Sequence, residues 1–465
     1  MKRLLSNLSY SFIANLVTML VSVLIVLLIP RFWGEIAYGY YQLYLFYISY
    51  VGFFHLGWID GIYLRIGGQS YAALDRALYS GQFRILLLLV ILATSIVMMF
   101  SSAVVADSDK FFVIGMTCVC LVMYLPITYI NYIFQSTNKI QEYAKIILSE
   151  KVVFIGLLLL IFMFQKMEYK WLIYADLAGK AVSFAVALFY ARSIIFTKVS
   201  SFQRSFQEMV LNISIGCKLM IGNVASMLII GIVRFAIEGE WGIATFGKVS
   251  LALSVSNLLI VFVTAVSVVI FPLLKHVDVN RQMQIYNFIR HLLMPCLFLI
   301  LFFYYPAQYV LGSLLPAYQE SLAYLAIMMP VCVFECKMAV LVNTYLKVLR
   351  KEKQILIVNL IAVALSFFMT LFTVYYLKSL QAAIIGIVVL VAVRVCFAEF
   401  CLKKAIGISI KKETICEILL TVLFILSSWC VGGFASMMLY GIGYLLYLIC
   451  MKNELRFSIN FILRK

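Results

Sequence analysis

The chain has 465 residues, 65% of them hydrophobic and 12% charged, with a formal net charge of +17 and a mean hydropathy of +1.05. Soluble domains carry roughly 25% charged side chains, so this composition excludes a water-soluble globule and places the chain in a lipid bilayer. The basic residues fall in short clusters between apolar runs and form no stripe, which assigns the positive charge to membrane topology and argues against nucleic acid as a partner.

Apolar runs near the roughly 20 residues needed to cross a hydrocarbon core recur along the whole length. In chain order they lie at 8–30, 38–60, 84–106, 110–135, 145–164, 171–196, 214–236, 244–272, 289–312, 320–345, 355–377, 381–401, 414–431 and 433–451, fourteen in all. Each is continuous, without the polar–apolar alternation of barrel strands, so the chain reads as all-α and polytopic. Met1-Lys2-Arg3 ahead of the first run imitates a signal peptide, but the run continues to Ile29 and reads as a retained helix. An even number of crossings puts both termini on one side. Alternate connections hold the positive charge (Arg65, Arg76 and Arg84; Lys139 and Lys145; Arg192, Lys198 and Arg204; Lys275 and Arg281; Lys347, Arg350, Lys351 and Lys353; Lys403, Lys404, Lys411 and Lys412). Those connections, and both termini, are therefore expected in the cytoplasm. None is long enough for a folded extramembrane domain.

An internal repeat is visible without gaps at an offset of 208 residues: "NLVTMLVSVLIVLLIPRFWGEIAYGYYQLYL" from Asn15 aligns with "NVASMLIIGIVRFAIEGEWGIATFGKVSLAL" from Asn223. Trp33-Gly34 meets Trp241-Gly242 and Gly39 meets Gly247, matches that shared greasiness does not produce. Each repeat holds six helices, an even number, which gives both copies the same orientation in the membrane. The expected organisation is a six-helix lobe over 1–208, a second over 209–408, and two further helices with a basic tail over 409–465.

Ionisable groups inside hydrocarbon are costly by roughly 2.5–3.5 kcal/mol on insertion scales, so each should be paired, snorkelled or facing water. Asp176 and Lys180 are four residues apart on one helix face, beside the small residues Ala175 and Gly179; they read as a self-neutralising pair in a packing stripe or as an ion-coupling site. Arg394 sits mid-span, with Glu399 five residues on and off its face. Arg234 has Glu238 one turn away; Lys218 and Arg290 lie near span ends, where a long side chain can snorkel to the interface. Glu150-Lys151 and Glu335 with Lys337 repeat the theme. Convergence of such cations on one water-filled site would suit an anionic phosphate or pyrophosphate. The eleven cysteines show no metal-ligand spacing, and the three histidines show no joint spacing, so no metal site and no catalytic constellation is expected.

The two repeats, each with a glycine-bearing connection after its first helix ("FWGEIAYGYYQL" and "EWGIATFGKVSL"), the fourteen spans, and "HLGWIDGIYLRIGGQSYAALDRALYSGQF" after the second span resemble the polysaccharide biosynthesis proteins of the O-antigen and capsule flippase type, within the multidrug/oligosaccharidyl-lipid/polysaccharide flippase superfamily. The resemblance implies a transporter of the bacterial inner membrane, not an enzyme. It would move undecaprenyl-diphosphate-linked oligosaccharide repeat units for lipopolysaccharide or exopolysaccharide from the cytoplasmic to the outer leaflet by alternating access, coupled to a proton or sodium gradient and served by no other cofactor. Its partners would be the lipid-linked glycan, the bilayer and polysaccharide polymerase machinery. Headgroup-binding candidates are Arg234, Lys218, Lys248, Arg290, Lys180 and Arg394, and ion-coupling candidates are Asp176, Glu150 and Glu335. The first span lacks any internal Lys or Arg, unlike the peptidoglycan-lipid relatives. Asp60, Arg65 and Arg84 are candidates for a cytoplasmic gate, with an interfacial Asp60–Arg65 ion pair as the plainer alternative. A multidrug or toxin extruder of the same superfamily is the nearest rival, which Asp176 keeps open; a membrane polymerase or acyltransferase is more remote.

Overall fold

The computed structural model describes the backbone of residues 2–275, 279–349, 351–406 and 411–463. The side chains of Lys2, Arg3, Lys275, Arg281, Arg350, Lys404 and Lys411, named above as topology markers, lie outside the described residues. In chain order the helices are α1 (Lys2–Val51), α2 (Trp58–Ile66), α3 (Arg76–Val104), α4 (Ser108–Ser136), α5 (Ile140–Met163), α6 (Tyr169–Tyr190), α7 (Arg192–Ile195), α8 (Phe202–Lys275), α9 (Val279–Ile300), α10 (Tyr304–Leu314), α11 (Gln319–Lys337), α12 (Thr344–Val348), α13 (Glu352–Thr370), α14 (Leu380–Ile406), α15 (Lys411–Leu426), α16 (Gly433–Cys450) and α17 (Lys452–Leu463). No strand occurs among the described residues. Among the described residues twelve helical stretches are long and apolar enough to cross a membrane. Two of them are of double length and hold two of the expected runs each, the first and second in α1 and the seventh and eighth in α8. The protein is thus an all-α, multi-pass membrane protein.

Both long helices break at a glycine: Gly34 has φ 77 and ψ 172, and Gly242 has φ 78 and ψ −178. These positions stand 208 residues apart, so the Trp-Gly pairs of the sequence repeat mark the same backbone event twice. That region of φ/ψ is essentially glycine's alone. A Cβ at either position meets nothing within 4 Å, so the penalty for any other residue is conformational and not steric. Gly34→Ala and Gly242→Ala are each expected to cost about 1–3 kcal/mol, read as a lowered thermal midpoint of the detergent-purified protein; midpoints equal to wild type would show that these breaks tolerate a side chain.

The chain divides into two compact units, 1–224 and 225–465, with the boundary inside the first arm of α8. Within the first unit α5 lies close to α6, because Gly179 leaves the space that a Cβ would need 2.8 Å from the Glu150 carbonyl oxygen. A closer approach joins α2 to α8. Gly57 and Gly61, one helical turn apart, face the Asn212–Cys217 backbone, and a Cβ on Gly61 would stand 1.9 Å from the Asn212 carbonyl oxygen. Within the second unit α11 is the central helix: 89% of the most apolar window of Pro316–Val348 is buried, against 17% for Gly433–Cys450. Around Pro295 of α9, tyrosines of α16 supply donors to the helix carbonyls, Tyr440 to Phe298 at 2.7 Å and Tyr444 to Pro295 at 3.0 Å.

One local expectation is corrected. The second run was expected to continue as helix to residue 60, but α1 ends at Val51, a tight turn over Gly52–His55 follows, and the separate helix α2 starts at Trp58. Further on, Asp75 is extended and its carboxylate accepts from the Leu78 N–H, capping α3 at Arg76.

Candidate functional site

The buried charges are organised helix against helix. In the first unit Lys180 of α6 donates to Asp176 Oδ2 at 2.5 Å and lies 3.7 Å from Glu150 Oε1 of α5. Tyr44 of α1 donates to the same Asp176 oxygen at 2.8 Å, and Lys151 pairs with Glu150 at 2.8 Å. The expected Asp176–Lys180 pair therefore forms, inside a wider network that Gly179 makes possible by drawing α5 close.

The α2 region holds a second network. Arg65 donates to Glu208 at 2.6 Å and to Asn212 at 2.8 Å, both on α8. Asn212 and the Trp58 indole both donate to Gln82 Oε1 of α3, at 3.0 and 2.8 Å. Asp60 is buried and faces His55 Nε2 at 3.8 Å. The proposed Asp60–Arg65 ion pair is thus replaced by two separate pairings, because the two side chains leave α2 toward different neighbours. Arg84 is exposed and without a hydrogen bond or ion pair among the described residues.

In the second unit Arg394 of α14 is 3% exposed and reaches three other helices: Asn359 on α13 at 3.0 Å, Glu335 on α11 at 2.9 Å and Ser226 on α8 at 2.9 Å. Beside it stands a closed square of two cations and two carboxylates. Arg290 of α9 meets Glu399 of α14 at 3.2 Å and Glu417 of α15 at 2.9 Å. Lys337 of α11 meets the same two acids at 2.7 and 2.6 Å. Tyr286 adds a donor to Glu399 at 3.1 Å. All four charged residues are at most 1% exposed, so Arg290 does not snorkel to an interface as its place near a span end suggested. The square holds equal numbers of each sign, the condition under which buried charges persist, while Arg290 Nε and Nη1 make no hydrogen bond among the described residues.

The remaining headgroup candidates differ. Lys248 pairs with Glu320, whose side chain is 65% exposed, at 3.1 Å. Arg234 is half-buried, donates to Ser250 at 2.9 Å and lies over the Phe246 ring at 5.0 Å. Lys218 is exposed and makes no hydrogen bond or ion pair among the described residues.

Sequence reading did not single out Tyr44, His55, Glu208, Asn212, Asn359 or Glu417. Except for His55, five residues from Asp60, their pairings cross between helices, which no local spacing encodes. One signal was available: the Gly57–Gly61 spacing is the small-residue pattern that permits close helix crossing. Among the described residues no group of three or more potential metal ligands occurs.

An all-α polytopic chain, broken twice at equivalent glycines and carrying its charges between helices, has the fold of the multidrug/oligosaccharidyl-lipid/polysaccharide transporter superfamily, as known structures show. The lipid II flippase MurJ in an inward closed conformation aligns with a TM-score of 0.70 at 12% identity, covering 98% of this chain and 100% of that one. An inward-facing multidrug resistance transporter of the MATE family gives 0.63 at 12% identity, covering 84% and 98%. The eukaryotic MATE transporter AtDTX14 gives 0.52 at 16% identity, covering 90% and 98%. No protein-family model matches the sequence, and no curated protein matches it.

Proposed function

We propose that this protein is a lipid flippase, not an enzyme, which carries undecaprenyl-diphosphate-linked oligosaccharide repeat units from the cytoplasmic to the outer leaflet of a bacterial inner membrane by alternating access. The observation that carries the reading is the end-to-end match to a lipid II flippase, 98% of this chain against 100% of that one. The match to the MATE transporter covers 84%. The C-terminal helices α15 and α16 are not an appendage, since Glu417 of α15 belongs to the buried charge square.

The charge arrangement sorts the candidates for the anionic headgroup. Lys180, Arg290 and Arg394 each have a carboxylate within 3 Å, so they hold helices together and have little charge to offer a phosphate. Lys218, Arg234 and Lys248 remain as headgroup candidates: Lys218 is exposed, Arg234 is half-buried beside Ser250, and the carboxylate that Lys248 meets belongs to the exposed Glu320. A diphosphate can displace such a carboxylate with charge-assisted hydrogen bonds of its own. We place both termini in the cytoplasm on the positive-inside pattern, couple the cycle to a proton or sodium gradient, and expect polysaccharide polymerase machinery as the consumer of the product.

Depletion of the protein is expected to trap complete lipid-linked repeat units on the cytoplasmic leaflet. Arg234→Ala with Lys218→Ala should fail to restore delivery while inserting normally. Undisturbed delivery of lipid-linked glycan, together with new sensitivity to cationic drugs, would overturn the flippase reading and favour the multidrug exporter suggested by the MATE likeness.

A further inference from the structure

Five acidic residues are buried among the described side chains: Asp60, Asp176, Glu238, Glu399 and Glu417. Asp176 is held by Lys180, and the two glutamates of the square by Arg290 and Lys337. A Lys or Arg beside a carboxylate favours its charged form. Asp60 is paired with neither. It faces an imidazole at 3.8 Å, beyond hydrogen-bond reach. That imidazole accepts the Gly57 N–H at Nδ1, 3.0 Å away, which puts the single proton of the neutral ring on Nε2, toward Asp60.

The surroundings of Asp60 contain little else that is charged. The turn before α2 contributes His55, and α4 contributes the Tyr132 phenol. The facing charges of Arg65 and Glu208 cancel each other at 2.6 Å. Burial pushes the Asp60 carboxyl up to about 6, and α2 lies outside the apolar membrane-crossing stretches.

Asp60 also occupies a mechanically sensitive place. It lies between Gly57 and Gly61, the two positions at which α2 touches the α8 backbone. Trp58, two residues earlier, shares Gln82 with Asn212 of α8. We infer that Asp60, with His55 beside it, is a proton-binding site whose occupancy is transmitted to the α2–α8 crossing. Binding forms one O–H bond on the carboxylate and removes one negative charge from the first turn of α2; release restores it. If the protein transports as proposed above, this is the group through which a proton gradient acts, in place of Asp176, Glu150 or Glu335. That last step rests on the transport reading, whereas the proton site does not.

The test is a pH titration of the purified full-length protein by infrared difference spectroscopy, with aspartate carboxyls labelled by carbon-13. The chain has six aspartates: Asp75 and Asp107 are exposed and cap helix ends, Asp109 and Asp176 lie beside Lys170 and Lys180, and Asp278 lies outside the described residues; a labelled carboxyl band that vanishes with a midpoint near pH 6 is expected for Asp60. Asp60→Asn should abolish that band, and His55→Phe should move its midpoint upward by removing the facing N–H. A flat spectrum between pH 5 and 7, or the same band in Asp60→Asn, overturns the proposal. The wild-type titration keeps it falsifiable if the variant does not fold. Because no substrate is present, the result is independent of what is transported. Loss of the response of flipping to an imposed pH gradient in Asp60→Asn vesicles would then tie the site to the cycle; an unchanged response would separate the two.

Discussion

Glu417→Gln should destabilise the protein by about 3–5 kcal/mol, the usual consequence of removing one partner from a buried ion pair. The side chain keeps its shape, so the loss is electrostatic. In the wild type, Arg290 and Lys337 are matched by Glu399 and Glu417, and none of the four is more than 1% exposed. The substitution leaves two cations against one carboxylate in a buried site. The charge-balanced double variant Glu417→Gln, Lys337→Met should therefore recover most of the loss, although each single change is severe. Denaturation midpoints of the two singles and the double complete the cycle. Additive effects would show that the square is four independent contacts. Arg394 predicts no such rescue with Lys337, because its carboxylate is Glu335.

The square also explains what the sequence could and could not disclose. Composition, apolar run length and the Trp-Gly repeat made the all-helical membrane fold and its two equivalent breaks legible, because each is local or periodic. The Asp176–Lys180 pair was legible for the same reason, being one helical turn on a single face. Arg290 and Glu417 are 127 residues apart and Lys337 and Glu399 are 62 apart, and nothing in either neighbourhood says that they meet. Arg290, with no acid on its own helix face, therefore read as a snorkelling or substrate-facing cation. Asp60 and Arg65, close in sequence, read as partners, yet α2 directs one toward His55 and the other toward Glu208. Intramembrane charge was thus a correct sign of importance and a poor guide to which charges are matched.

The steepest packing effect is expected at Gly61. A Cβ there would lie 1.9 Å from the Asn212 carbonyl oxygen, 2.6 Å from its carbon and 2.9 Å from its Cα. These are backbone atoms of α8 and cannot rotate away, so Gly61→Ala must separate the helices by about an ångström, at a cost of at least 1–3 kcal/mol for overpacking. The separation also stretches the bonds of Asn212 to Arg65 and Gln82. Two other helical glycines calibrate the effect. Gly179→Ala meets the Glu150 carbonyl oxygen at 2.8 Å, a smaller conflict, and Gly156→Ala meets nothing within 4 Å. Without a clash, alanine in a helix interior gains roughly 0.5–1 kcal/mol over glycine, so Gly156→Ala should be neutral or stabilising. The expected order of thermal midpoints is Gly156→Ala highest, Gly179→Ala between, and Gly61→Ala lowest. If Gly61→Ala matched Gly156→Ala, α2 and α8 would not be in contact in the protein as purified, and the route from Asp60 to α8 would be lost with them.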